Sequence, residues 1–278
     1  MNKIDAHQHF WDLQQFNYPW LTPTAQVLYR NFEPAALEPV LVDNGVQGTI
    51  LVQATHSQAE TEWLLSLAQI APFIKGVVGW LDFTAPDVEE KLEALLAKGP
   101  LCGLRHQVHD ESDRAWLLQN QVVAALNIVS SKSLTYDLLI RPVHLQYLPA
   151  LFRAVPNGRW VIDHLAKPEI KDRKLEPWLA GMQRAAQYPN VYCKLSGMIT
   201  EANHCNWSIE NVRVYFEQVL ELFGPARLLF GSDWPVCLLA GSYAQVNDLV
   251  MQLVSSLTES EQVAIWSGTA CEVYQIEL

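Results

Sequence analysis

Eight short apolar runs, each followed by a stretch of helical character, constrain this chain more than any other feature. The runs cover residues 3–9 (KIDAHQH), 48–54 (GTILVQA), 75–81 (KGVVGWL), 102–108 (CGLRHQV), 134–140 (LTYDLLI), 160–165 (WVIDHL), 191–196 (VYCKLS) and 228–233 (LLFGSD). Near-continuous apolar runs suit strands covered on both faces, as in a parallel sheet. Helical segments fill the gaps. Residues 32–44 carry Pro34 in the first turn and are stopped by Gly45. Ser57 and Glu60 have capping-box spacing before TEWLLSLAQI. Residues 86–98 begin acidic and end in Lys98, with Gly99 behind. Residues 114–128, 144–155, 175–188 and 209–223 fill the remaining gaps. Two helices follow the eighth run, at 243–257 and from Glu259, the second opened by Thr258 and Glu261. This alternation predicts an α/β fold, a (β/α)8 TIM barrel, as a single domain over 1–278. An open doubly wound sheet is the alternative. It would carry a glycine-rich phosphate loop after strand one, where this chain has HQHFWD.

Half of the 278 residues are hydrophobic, enough for one large core. With 19 basic and 30 acidic residues the net charge is −11. Such a surface repels phosphate backbones and anionic lipid, so neither nucleic acid nor membrane is expected as a partner, and a neutral small molecule fits better. The five cysteines, Cys102, Cys193, Cys205, Cys237 and Cys271, are scattered and never form a CxxC pair. That reads as a reduced, cytoplasmic protein. The N-terminus lacks an apolar stretch of signal-peptide length, and no apolar run is long enough to span a bilayer.

The candidate chemistry sits at strand ends. His7 and His9 are two residues apart on the first run, so both point to one side while Ile4, Ala6 and Gln8 point to the other. Inward groups at the C-terminal ends of barrel strands meet at the catalytic mouth. His164 ends the sixth run and Asp233 the eighth. Ionisable groups terminating apolar strands are hard to explain by packing, because burying a charge is costly unless it is paired. A carbonyl-bonded core histidine and a turn aspartate are the plain alternatives for these two. Asp163 and Lys194 read as structural, and Arg105 is open between an ion pair and a substrate clamp. Trp11, Tyr18, Trp20, Trp80 and Trp234 lie near strand ends, where aromatic faces suit sugar rings but packing is the commoner role. His56, His109, His144 and His204 read as structural or exposed. Residues 17–30 and 200–208 are candidate lids.

HxH after strand one and aspartate after strand eight resemble the amidohydrolase superfamily. The segments DAHQHFWD, GLRHQ, IRPVHL, VIDHLAKP, CKLSG and FGSDWPV are similar to its sugar-lactonase branch, which includes L-fuconolactonase and L-rhamnonolactonase. The resemblance runs from Asp5 to about Tyr243. It implies a hydrolase opening a sugar lactone to the aldonic acid, with His7, His9, His164 and Asp233 catalytic and Arg105 and His106 contacting substrate; Trp11 and Tyr136 join them as candidate substrate contacts. Arg105 and His106 stand where binuclear members place a bridging lysine or glutamate, and Tyr136 and Asp137 where many place a histidine, so a two-metal centre is not expected. One Zn²⁺ on His7, His9 and Asp233, with His164 as a further ligand, and metal-independent hydrolysis both remain open. Asp233 is the expected general base, a role that a raised pKa would suit. A metal-dependent decarboxylase and a non-catalytic sugar- or metal-binding barrel are the rival readings. No Gly-x-Ser-x-Gly elbow occurs, so no serine nucleophile is indicated. Which sugar is bound, and the oligomeric state, are not readable.

Overall fold

The apolar runs become the strands of one parallel eight-stranded sheet, paired in the order β1 to β8. The computed structural model describes residues 2–277. The strands are β1 (Ile4–Gln8), β2 (Gly48–Val52), β3 (Ile74–Gly79), β4 (Leu101–His106), β5 (Thr135–Leu138), β6 (Arg159–Ile162), β7 (Val191–Leu195) and β8 (Leu228–Phe230). The helices are α1 (Pro34–Asp43), α2 (Gln58–Ile70), α3 (Val88–Leu96), α4 (Asn120–Ser131), α5 (Leu148–Ala154), α6 (Trp178–Ala186), α7 (Ile209–Phe223), α8 (Tyr243–Val254), α9 (Glu259–Val263) and α10 (Thr269–Tyr274). This is the (β/α)8 barrel. No described helix is long and apolar enough to cross a membrane.

Two expected helices are shorter than their sequence signal. Residues 114–128 divide into a 3-10 turn at Trp116–Leu118 and α4, with Gln119 extended between them. Residues 144–155 divide likewise into a 3-10 turn at Pro142–Tyr147 and α5. Pro149 lies in the first turn of α5, where its missing N–H is harmless but where it cannot extend a preceding helix.

Closure of the barrel decides where the site forms. β8 is short and makes no ladder with β1; the segment after it does the joining. Asp233 N–H donates to the His7 carbonyl at 2.8 Å, and His9 N–H donates to the Trp234 carbonyl at 2.7 Å. Asp5 strengthens the seam, accepting from Ser232 N at 2.8 Å, Ser232 Oγ at 2.6 Å and Tyr243 Oη at 3.0 Å. The same hydrogen bonds that shut the barrel therefore bring Asp233 beside the two N-terminal imidazoles.

The interior corrects the simple alternation on β1. Ile4 and Ala6, expected opposite the histidines, pack inside with Ile50, Val52, Val78, Val161 and Leu229 from across the barrel. His7 is also inside. The β1–β2 register shifts between Asp5 and Gln8, so three steps on β1 match two on β2. Such a bulge switches the inward-facing parity and re-aims the side chains beyond it. The far end is plugged by α10, whose Tyr274 Oη donates to both Asp137 oxygens at 2.8 Å.

Candidate active site

The polar interior has two storeys. On the floor, Lys194 from β7 places its Nζ 2.7 Å from Asp137 Oδ2 and 2.9 Å from Asp163 Oδ1. Arg105 from β4 donates from Nη1 to Asp163 Oδ2 at 3.0 Å. All four are buried. Burial works against the Lys194 charge, but Asp137 and Asp163 hold its pKa above the ordinary value. Burial likewise opposes ionisation of Asp163, yet Lys194, His7 and Arg105 hold it well below the usual carboxylate range. For Asp137 burial outweighs Lys194 and pushes the pKa up to about 6.

Above the floor lies the mouth. His7 Nε2 is 3.1 Å from His9 Nε2. Asp233 Oδ1 is 3.7 Å from His7 Nε2, 3.4 Å from His9 Nε2 and 4.0 Å from His164 Nε2. All four side chains are buried. Burial, against the attraction of nearby carboxylates, holds His7 and His164 well below the ordinary histidine range, so both are neutral. Burial raises Asp233, but His164, the His9 hydrogen bond and Lys167 bring its pKa below the ordinary value. The raised pKa that would suit a base is therefore not what this environment produces.

This donor set fits a divalent cation. Neutral imidazole nitrogen and carboxylate oxygen are what Zn²⁺ and similar ions take. His9 Nδ1 lies 2.7 Å from the Val52 carbonyl, which can only accept, so Nδ1 carries a hydrogen and Nε2 is the ring nitrogen turned to the centre. His164 Nδ1 meets Ser196 Oγ at 2.8 Å, and His7 Nδ1 lies 3.3 Å from Asp163 Oδ1. Outer partners of this type orient metal-binding imidazoles. A second acid–imidazole group, His7, Asp137 and Asp163, also lies close together, but the Lys194 ammonium already sits among its three members.

The mouth opens into a cavity of about 140 Å³ lined by His9, Trp20, Arg105, His109, His164 and Asp233, among others. A family model described as "Amidohydrolase" matches residues 4–276. The chain belongs to the amidohydrolase family. It is 36% identical to L-fucono-1,5-lactonase of Burkholderia ambifaria over 279 residues, covering 99% of this chain and 96% of that one. It is 37% identical to L-fucono-1,5-lactonase of Burkholderia multivorans over 289 residues, with the same coverage. A solved amidohydrolase of Burkholderia multivorans, 36% identical, matches over 100% of both chains, with a TM-score of 0.95 in its HEPES-bound form and 0.93 in its zinc-bound form.

Within this amidohydrolase the sequence-derived residues separate cleanly. His7, His9, His164 and Asp233 meet, and Arg105 lines their cavity. His106, Tyr136 and Trp11 do not line it. His106 is stacked on Trp116 and His56, with its Nε2 on Glu111 at 2.7 Å. Tyr136 packs edge-on to Phe83 and Trp160 in the outer layer. Trp11 packs on Phe32 and donates to the Arg30 carbonyl at 2.7 Å. Alternation explains two of these placements: with Arg105 and Asp137 inward, their neighbours His106 and Tyr136 face out. Of the two candidate lids, 17–30 contributes Trp20 to the lining, whereas 200–208 contributes no lining residue.

Gln107, Asp110 and Lys167 line the cavity without a sequence assignment, and so does His109, which the sequence placed among the structural or exposed histidines. Their signal was position: Gln107, His109 and Asp110 closely follow Arg105, and Lys167 comes three residues after His164, in the loops that leave strand ends.

Proposed function

We propose that this protein hydrolyses a sugar lactone, of the L-fucono-1,5-lactone type, to its aldonic acid. The carrying observation is the convergence of His7, His9, His164 and Asp233 where the barrel opens into a small cavity. The near full-length likeness to two L-fucono-1,5-lactonases supports the substrate class. Arg105, which lines the cavity, is a cationic group suited to the charge that develops on the lactone carbonyl oxygen. Trp20, anchored by its Nε1 on the Ala54 carbonyl at 2.7 Å, supplies an aromatic face for the apolar side of the ring.

Asp233, ionised at neutral pH, takes a proton from the attacking water. Its carboxyl then returns that proton to the ring oxygen as the acyl–oxygen bond breaks. His7, His164 and Asp233, whose ligand atoms lie within 4.8 Å of one another, with His9 beside them, are the residues that would hold a divalent metal, and the zinc-bound form of the similar Burkholderia multivorans structure supports metal binding. Such an ion supplies Lewis acidity and a lowered water pKa when bound.

A panel of five- and six-carbon aldonolactones, followed with a pH indicator, tests the reading. Acid release should be fastest with L-fucono-1,5-lactone or a close stereoisomer. Chelation followed by Zn²⁺ addition should abolish and restore it. Silence on every lactone, with and without added metal, would sink the proposal.

A further inference from the structure

The connection after β6 carries an unusual backbone. His164, Leu165, Ala166 and Lys167 all have positive φ, at 52, 53, 60 and 52°. Left-handed non-glycine residues normally occur singly, and four in succession persist only where the surroundings hold them. Trp178 Nε1 donates to the Leu165 carbonyl at 2.6 Å, and Lys167 N–H closes the turn on the His164 carbonyl at 2.7 Å. Gly197 leaves space for the imidazole, since a Cβ there would lie 2.8 Å from His164 Nδ1. In a turn of about three residues, positions i and i+3 share a side. The strained turn therefore presents His164 and Lys167 together, and both line the cavity.

Lys167 is placed differently from the other cation of that lining. Arg105 commits Nη1 to Asp163 on the floor and to His7 Nε2 of the mouth at 3.2 Å, and Nη2 to Gln53. Lys167 Nζ has one polar partner among the described residues, Glu201 Oε1 at 2.9 Å. Glu201 comes from the connection after β7 and lines, with Lys167, a neighbouring cavity rather than this one, so the side chain of Lys167 borders both. An ammonium has three N–H donors, so Lys167 keeps donors for an occupant. The carboxylates of the same lining, Asp110 and Asp233, do not pair with it.

Building on the lactonase reading, we propose that Lys167 is a substrate-binding residue that takes the negative charge created by ring opening. Water adds to the acyl carbon, and the bond from that carbon to the ring oxygen breaks. One water proton ends on the ring oxygen as a hydroxyl. The other leaves to solvent, so the product is a carboxylate. The lactone itself is neutral, so Lys167 gains most from the charged states that follow attack.

Steady-state kinetics with L-fucono-1,5-lactone, plus inhibition by sodium L-fuconate, test this. For Lys167→Met, kcat should fall about tenfold and the fuconate inhibition constant should rise about tenfold, while KM stays within about twofold. Lys167→Arg should recover part of both effects. Glu201→Gln removes the competing carboxylate and should lower the fuconate constant, which keeps the test open if Lys167→Met fails to fold. Unchanged fuconate inhibition in Glu201→Gln and in any folded Lys167→Met overturns the assignment. A wild-type protein that opens no lactone of the panel sinks the underlying reading instead.

Discussion

The floor and the mouth of this barrel are built from similar residue types and do different work. On the floor every buried charge has an opposite one within reach: Lys194 between Asp137 and Asp163, and Arg105 on Asp163. At the mouth, three imidazoles surround one carboxylate, and their second nitrogens lie against Val52, Ser196 and Asp163. A compensated network holds its own geometry. Imidazole nitrogens and a carboxylate oxygen gathered around one point suit an electrophile placed there. The contrast teaches that burial of polar groups alone does not mark a site; what matters is whether the charges cancel.

Four outcomes would break or sharpen that contrast. The largest belongs to the mouth: Asp233→Asn should lower kcat/KM for the preferred lactone by on the order of a thousandfold, with the folding transition preserved. A variant that keeps activity removes Asp233 from the chemistry. The next belongs to the floor: Lys194→Met leaves two buried carboxylates without their cation and should cost about 3–5 kcal/mol in urea unfolding. If its stability matched wild type, the compensated floor would be a fiction.

Glu60 sharpens the comparison from outside both storeys. It is buried in the first turn of α2 and accepts from the Ala54 and Thr55 amides rather than completing the expected capping box, although Ser57 does cap Glu60 N–H. Burial, only partly offset by these amides, pushes its pKa up to about 8. An unfolded glutamate ionises near about 4.3. Between those values the folded chain binds more protons than the unfolded one, so this contribution to stability falls as pH rises through the window. Relative to Glu60→Gln, the wild type should lose on the order of a few kcal/mol between pH 4 and 8, read from urea melts across that range. A constant difference would refute the shift. The smallest effect is that of Tyr136→Phe. Its buried hydroxyl lacks a partner, so kcat/KM should stay within about twofold and stability should hold or rise. A large loss of activity would return Tyr136 to the site.

Much of this was legible in residues alone. Eight apolar runs named the strands, and HxH, His164 and Asp233 named the mouth, because ionisable groups at the ends of buried strands need a reason to be there. The outward placement of His106 and Tyr136 was readable too: the alternation that pairs His7 with His9 also splits Arg105 from His106 and Asp137 from Tyr136. The bulge on β1 was not readable. Nothing in IDAHQ marks an extra residue, since the bulge is defined by its register against β2.

Residue identity and periodicity by themselves determined the barrel, its strand ends and the ligand types available, since these follow from local pattern and the cost of burying charge. Only the tertiary structure decided which polar groups neutralise one another and which are left turned toward the cavity. Cancellation depends on distances between residues far apart in sequence: Lys194 to Asp137 at 2.7 Å, and Asp233 to His7 through the backbone seam that closes the sheet. Electrostatic energy varies with that spacing, and spacing across a barrel exists only once the chain has closed on itself.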